Sequence, residues 1–576
     1  MTQIWAFLQT SVQPLLSGRP EVAIVAALAV GYAIGAIRLG PFRLGGVAGT
    51  LLAALAIGQL GVQIDPMLPR FMFTLFIYAL GFSVAPQFFA GVDKTTWTWG
   101  LLVAVEVVLI VTVAFAATWV FKLDLGTAGG LLAGSATESA MVGTTTEAIG
   151  KLGLPLATTK ALQSNVATAY ALSYVFSLVA IILFASQLAP WLMRINLRTE
   201  ARRTLARLGG VELDLEPDQR YSFPLLISRA YHVTVAAGKT IAEVEGALGG
   251  GATVESVRRG DTQRTVTGSC LLDTKDEIAV TGLRSALAGA GPLIGPEIGD
   301  PTDARFIVET RDVVLTHKPM HGSSIAGIVG FLRESDCRGV FLAGLKRMER
   351  RFPAVPDFKV RTGDVLELFG NPTDVAKAAR LLGVATIPDD VTDFVYLGTG
   401  LVVGILIGMV NIRVGKAVLS LGSAGALLSG LAFGWFRSLR PTFGRLPSSA
   451  TQLMKDLGLA VFIASVGLGS APGVVKLLGE RGWELPIAAI FVSLVPTLAS
   501  VYIGRYLLHV EPAILCGAIA GQHASTPAIN ATEAVAGNTV PVIGYTVTYA
   551  LANILLPLVG PVFVAIFSAT HTIGSY

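Results

Sequence analysis

Charged side chains avoid two long stretches of this chain and crowd into the stretch between them. Residues 191–393 hold 26 Lys+Arg and 27 Asp+Glu in 203 positions, about a quarter, the level of an ordinary soluble domain. The other 373 residues hold 17 and 12, about 8%. The outer parts therefore read as membrane sequence and the middle as a soluble insert. This pattern excludes a soluble multidomain enzyme, a secreted disulfide scaffold and a disordered chain. The formal charge of +4 gives no ground for a nucleic-acid partner. Cys270, Cys337 and Cys516 have no spacing suited to zinc or to a disulfide framework.

A spanning helix needs about 20 apolar residues. In the first part such runs fall near 21–38, 45–62, 70–90, 99–121 and 161–190. In the second they fall near 394–411, 417–436, 456–475, 485–508 and 541–569. Each set of five leaves one apolar segment over, 126–150 and 512–537, rich in Gly, Ser, Thr and Asn and broken by charge or proline. Irregular backbone at membrane depth survives only where protein buries it or water fills the cavity it lines.

The two parts are copies. Gly46–Gly58 aligns with Gly422–Gly434 with 8 identities in 13. Gly81-Phe-Ser-Val-Ala85-Pro86 then matches Gly467-Leu-Gly-Ser-Ala471-Pro472. Thr146-Glu147-Ala148 matches Thr532-Glu533-Ala534, and Tyr170-Ala-Leu172 matches Tyr549-Ala-Leu551. Five crossings is an odd number, so the repeats are expected to be inverted. The first charge is Arg19, with no basic n-region before it, so a cleaved signal peptide is not expected. Arg194, Arg198, Arg202, Arg203 and Arg207 directly follow a helix, which places the insert in the cytoplasm and both termini outside. The expected domains are an external or interfacial segment 1–20, a first repeat 21–190, a basic linker 191–210, insert modules 211–290 and 303–385, and a second repeat 394–570. Trp97, Trp99, Trp119, Trp191, Trp435 and Trp483 fall near proposed helix ends, as an aromatic belt requires.

The insert is expected to be α/β and doubled. Ala252-Thr-Val-Glu-Ser-Val-Arg258 alternates with period 2, as does the region around Gly339–Leu345. Each copy ends on a strand entered by an acidic turn, Lys275-Asp276-Glu277-Ile278 and Gly363-Asp364-Val365-Leu366. Residues 284–304 read as the linker between copies.

The broken segments carry the chemistry. Gly134-Ser135-Ala-Thr137-Glu138-Ser139 and Gly521-Gln522-His523-Ala-Ser525-Thr526-Pro527 both place hydroxyls beside glycine at an expected helix break. A helix restarting there presents unpaired N–H groups, which bind carboxylates. Paired broken segments in repeats mark a transporter's substrate site. Ser135, Thr137, Ser139, Ser525, Thr526 and Asn530 are therefore the candidate substrate contacts. Glu138, Glu147, His523, Pro527 and Glu533 are read as hairpin or gating residues, because intramembrane carboxylates are costly and mostly functional. The bland alternative is that the small polar residues only let helices pack closely. Glu106 lies mid-helix with no partner legible in the sequence. Gly31/Gly35 and Gly404/Gly408 read as close helix contacts. No metal constellation, phosphate loop or nucleophile–base pair stands out, so neither a cofactor nor catalysis is expected.

These motifs, in this order, resemble the aspartate:alanine exchanger family, and the insert resembles two tandem TrkA-C (regulator of potassium conductance) modules. The resemblance implies a mainly α membrane protein with two inverted repeats of about five helices and a broken hairpin each. It further implies a homodimeric secondary antiporter of the bacterial inner membrane that imports L-aspartate and exports L-alanine, an electrogenic exchange, by alternating access. Relatives are taken to export succinate or other dicarboxylates, and the residues do not separate these substrates. A ligand-gated ion channel is the rival class, but no carbonyl-lined Thr-Val-Gly-Tyr-Gly filter appears.

Overall fold

The computed structural model describes residues 11–39, 42–43, 45–90, 94–207, 226–249, 251–260, 262–264, 266–299, 307–335, 337–347, 350–352, 357–385, 391–414, 417–439 and 443–570. The first half of the expected 1–20 segment and the expected starts of both insert modules lie outside the described residues. Two compact units form, residues 1–205 with 388–576, and residues 206–387.

Ten apolar helices of the first unit fall where hydropathy places them. They are Pro20–Gly35, Gly46–Gly58, Met67–Ala90, Lys94–Phe121 and Leu156–Leu183, then Phe394–Gly408, Ala424–Leu439, Ser448–Arg481, Glu484–Tyr502 and Val540–Thr570. Among the described residues, six stretches are long and apolar enough to cross a bilayer. The expectation of five full-length spans per half needs correction. The first two helices of each half have 16, 13, 15 and 16 residues, short of the ~20 a span needs. A small β-ribbon takes up the difference in each half. Arg38–Leu39 pairs with Phe42–Arg43, and Asn411–Val414 with Ala417–Ser420. Hydropathy runs these spans past their helices because flanking residues such as Met409, Val410 and Ala417-Val-Leu419 are themselves apolar.

Within each short pair the backbones touch through glycine. A Cβ on Gly49 would lie 2.0 Å from the Gly31 carbonyl oxygen, and one on Gly425 would lie 2.5 Å from that of Gly404. The close-contact reading of Gly31/Gly35 and Gly404/Gly408 thus describes both pairs.

The halves then exchange contacts. A Cβ on Gly58 would meet Leu468 O at 2.5 Å and the Ala471 Cβ at 2.6 Å; one on Gly434 would meet Phe82 O at 2.4 Å and the Ala85 Cβ at 2.8 Å. Gly58 and Gly434 are aligned positions of the two copies, as are the segments 81–86 and 467–472. The same holds for Gly81 against Leu427 and Gly467 against Leu51. Each copy therefore packs the same surface onto the other.

The second unit contains two antiparallel sheets. One runs in the order Leu226–His232, Asp276–Leu283, Ala252–Arg259, Thr262–Arg264. The other places Glu309–Leu315, Val365–Gly370, Phe341–Arg347 and Arg350–Phe352 in the same order and adds Gly383–Ala385 at one edge. Helices Ile241–Ala247 and Ile325–Glu334 occupy corresponding places in the chain. One pairing recurs in both. Arg259 grips Asp276 through two bonds of 2.6 and 2.8 Å, and Arg347 grips Asp364 through two of 2.6 Å, each across 17 residues. The acidic turn of each copy is thus the anchor of its own sheet. The segment read as a linker is packed rather than free, since Leu287, Ala290 and Ile294 sit in the first sheet's core.

Candidate functional site

Each leftover segment is a helix, a three-residue break and a second helix. The first hairpin is Leu125–Ser135 and Ser139–Gly150; the second is Pro512–Gln522 and Thr526–Ala536. Both arms start on a carboxylate. Asp124 accepts the N–H groups of Gly126 and Thr127 at 2.9 and 3.1 Å. Glu511 precedes Pro512 and accepts the Thr204 hydroxyl at 2.8 Å. Acidic residues suit a helix N-terminus, and proline suits the first helical position. The breaks themselves contain a left-handed residue each, Thr137 (φ 53°) and Ala524 (φ 47°). These turns cost energy in residues other than glycine. Packing supports them, because Gly134 lies against Ser173 and Tyr174, and Gly521 against Thr548, Tyr545 and Tyr549. The structure thereby pairs Tyr170 with Tyr545 in the two copies, not with Tyr549. The Ser139 hydroxyl is 2.6 Å from the Tyr170 hydroxyl, and Thr526 is 3.3 Å from that of Tyr545.

The two breaks meet. Thr137 donates its hydroxyl to the His523 carbonyl at 2.6 Å. Glu138 and Ser525 occupy matching N-cap positions. The Glu138 carboxylate accepts the Ala140 N–H at 3.0 Å, and the Ser525 hydroxyl accepts that of Ala528 at 3.3 Å. The first tip is therefore capped by a carboxyl group of its own, whereas the second tip is capped by a hydroxyl. Ser135 and Gln522 are also matching positions, and among the described residues both the Ser135 Oγ and the Gln522 Oε1 are buried without a hydrogen-bond partner.

His523 and Glu106 form the pair that sequence reasoning missed. The His523 Nε2 lies 3.1 Å from the Glu106 Oε1, with the residues 1% and 2% exposed. Ser500 donates to the Glu106 Oε2 at 2.5 Å. Gln522 donates to Ser500 at 3.1 Å and to the Leu102 carbonyl at 3.0 Å. The Nδ1 of His523 is buried with no partner among the described residues. The available signal was one buried-looking carboxylate and one histidine at a break, in segments far apart in the chain.

The other candidates are placed elsewhere. Glu147 accepts the Ser423 N–H at 2.7 Å, at the start of helix Ala424–Leu439, and pairs with Lys151 at 3.1 Å. Thr526 and Asn530 are exposed, and Pro527 and Glu533 are partly exposed along the second arm. Helical periodicity turns them off the face that carries buried Ala528, Ile529 and Thr532. An apolar cavity of about 420 Å³ lies between Leu156–Leu183 and Glu484–Tyr502, lined by residues such as Phe176, Leu183 and Leu494. With no polar lining side chain, it does not suit a charged solute.

The family model Asp-Al_Ex, described as "Predicted Permease Membrane Region", matches residues 23–190 and 396–565. The chain belongs to this permease family. The match takes in both hairpins and passes over the insert. The permease is 38% identical to an uncharacterized transporter of Zymomonas mobilis, over 98% of this chain and 99% of the relative. It is 34% identical to uncharacterized transporters of Bradyrhizobium diazoefficiens and Francisella tularensis, over 96% and 95% of this chain and 99% and 97% of theirs. No solved structure matches the chain. The permease is a multi-pass membrane transporter.

Proposed function

We propose that this permease is a secondary antiporter of the bacterial inner membrane that exchanges small amino acids or dicarboxylates, L-aspartate inward for L-alanine outward, by alternating access. The observation that carries this is the meeting of two matched helix breaks. There the Thr137–His523 bond joins the hairpins, and two matching positions hold unpartnered polar atoms. Their matching positions beside the break are what makes these two atoms, of all the buried ones, the natural contacts for a solute in this reading. The exchanged contacts of Gly58 and Gly434 suit two copies related by a two-fold axis, which we read as inverted repeats. Ser135, Thr137, Ser139 and Ser525 line the breaks in this reading, with Thr526 and Asn530 contributing once the second hairpin moves. Glu138, Glu147, His523, Pro527 and Glu533 hold or gate the hairpins. The insert, read as two cytoplasmic TrkA-C modules, and a homodimeric state belong to the same proposal.

Counterflow into proteoliposomes tests it. Vesicles preloaded with alanine should take up labelled aspartate and lose alanine in step, with a membrane potential altering the rate because one negative charge moves per cycle. Succinate exchange without aspartate exchange would move the reading to a dicarboxylate exporter. Potassium flux with no solute on the far side would replace it by a channel.

A further inference from the structure

We propose that Glu147 and Glu533 form a reciprocal latch. Glu147, on the start of helix Ala424–Leu439, holds the first hairpin shut, and Glu533 takes the same place on the start of helix Gly46–Gly58 when the second hairpin shuts in its turn. The proposal rests on the alternating-access reading above and adds the contacts that hold its two states.

The first half of the latch is formed. The Glu147 Oε2 accepts the Ser423 N–H at 2.7 Å, one residue ahead of that helix. The first N–H groups of a helix have no partner within it and favour a carboxylate. Gly422 makes room for the carboxylate. It has φ 51°, which favours glycine, and a Cβ there would lie 2.6 Å from the Glu147 Cδ. The arm that carries Glu147 is seated along its length. Gly143 lies so close to the Phe73 ring that a Cβ would stand 2.2 Å from it, and Ala148 and Ile149 are buried.

The second copy has the same parts in a different arrangement. Glu533 aligns with Glu147, Gly46 with Gly422 and Val47 with Ser423. At Gly46 the place of the carboxylate is taken by the Tyr32 ring, 2.7 Å from where a Cβ would stand. Gly537, one turn beyond Glu533, lies against the Arg198 guanidinium. The arm is unseated. Ala534 is exposed and Val535 is 42% exposed, where the aligned Ala148 and Ile149 are buried. Two like copies in two arrangements define two states of the whole, because exchanging the arrangements gives an equivalent molecule open to the other side. Tyr32 then swings off the helix start, and Glu533 takes the Val47 N–H. Neither seat holds a solute or a proton, so the charge moved per cycle stays that of the substrates.

Paired cysteines in the full-length permease test it. Glu147→Cys with Ser423→Cys, bridged by a short bis-methanethiosulfonate, should lose counterflow, and a reductant should restore it. Val47→Cys with Glu533→Cys should bridge as well. Adding Glu147→Ala to that second pair should speed its bridging roughly tenfold, the worth of one hydrogen bond in the balance of two states. Glu147→Gln, which keeps an acceptor, should speed it less. Single-cysteine variants separate reaction at Cys270, Cys337 and Cys516. Val535→Cys, at an exposed place, keeps the latch refutable where a paired variant fails to fold. Its labelling by a maleimide should slow about twofold while exchange runs, since the arm is then shut for half of the time. Counterflow that persists through the bridge between positions 147 and 423, a pair at 47 and 533 that never bridges, or labelling at position 535 indifferent to exchange would overturn the latch and leave the exchange reading standing. Absence of counterflow for every amino or dicarboxylic acid tried would overturn both.

Discussion

Ser135 separates binding from folding unusually well. Its Oγ is buried and makes no hydrogen bond to the described protein, so removing it costs the fold nothing and relieves an unsatisfied group. Ser135→Ala should therefore melt at or slightly above the wild-type temperature in detergent, while counterflow falls roughly 2- to 10-fold, the worth of one hydrogen bond. Ser525→Ala makes the opposite test. Its hydroxyl caps the second arm at Ala528, so loss of about 1 kcal/mol of helix stability should accompany any loss of transport. Unchanged uptake in the double variant would remove both residues from the site. The hydroxyls and the break were legible because glycine, serine and threonine cluster there in an apolar run. The Glu106–His523 pair was not, because 417 positions separate its members and only the packing of three helices brings them together.

Among the elements, the hydropathy pattern located every long helix but overran the first pair of each half, because residues beside those helices, such as the strand Ala417–Ser420, are apolar too. The repeat alignment contained more than it showed. Gly58 and Gly434 looked like mere identities, yet each is the point at which one copy's second helix lies on the other copy's third. A side chain at either place meets backbone, which cannot move aside. Gly58→Val and Gly434→Val should each destabilise by about 1–3 kcal/mol or more, and by similar amounts, since the contacts match. Thermal melts of the two variants in detergent check this. A large loss from one with none from the other would break the equivalence of the halves.

At the scale of the whole molecule, the insert is two matched sheets that meet through charge. Arg338 of the second copy pairs with Glu245 of the first at 2.5 Å, and Gly339 lies against the Glu255 carboxylate. Glu255 sits at the bulge of its strand, between Val254 and Ser256, and its Oε1 is buried without a partner among the described residues. Burial first, then Asp374 and Glu245, push its carboxyl up to about 8 against the partial relief of Arg338. Asp276 shows the other sign. Burial raises it, but the Arg259 guanidinium and the Asp273 N–H outweigh that and hold it below the usual carboxylate range. The two groups must therefore tilt stability in opposite directions. For Glu255 the folded state binds its proton more tightly than the unfolded chain, so its contribution is complete below the ordinary carboxylate value and is lost as pH rises through about 8. For Asp276 the folded state binds its proton less tightly, so its contribution is present above the ordinary value and is lost as pH falls through the lowered one. Amide hydrogen exchange on the full-length permease separates them. Protection of residues 252–259 and 338–345 should decline between about pH 5 and 8 after correction for intrinsic exchange, and Glu255→Gln should remove that decline. Asp276→Asn should instead lower protection at neutral pH, because Arg259 then loses its charged partner. A neutral-pH decline that survives in Glu255→Gln would mean that some other group, not this carboxylate, loosens the contact between the two sheets.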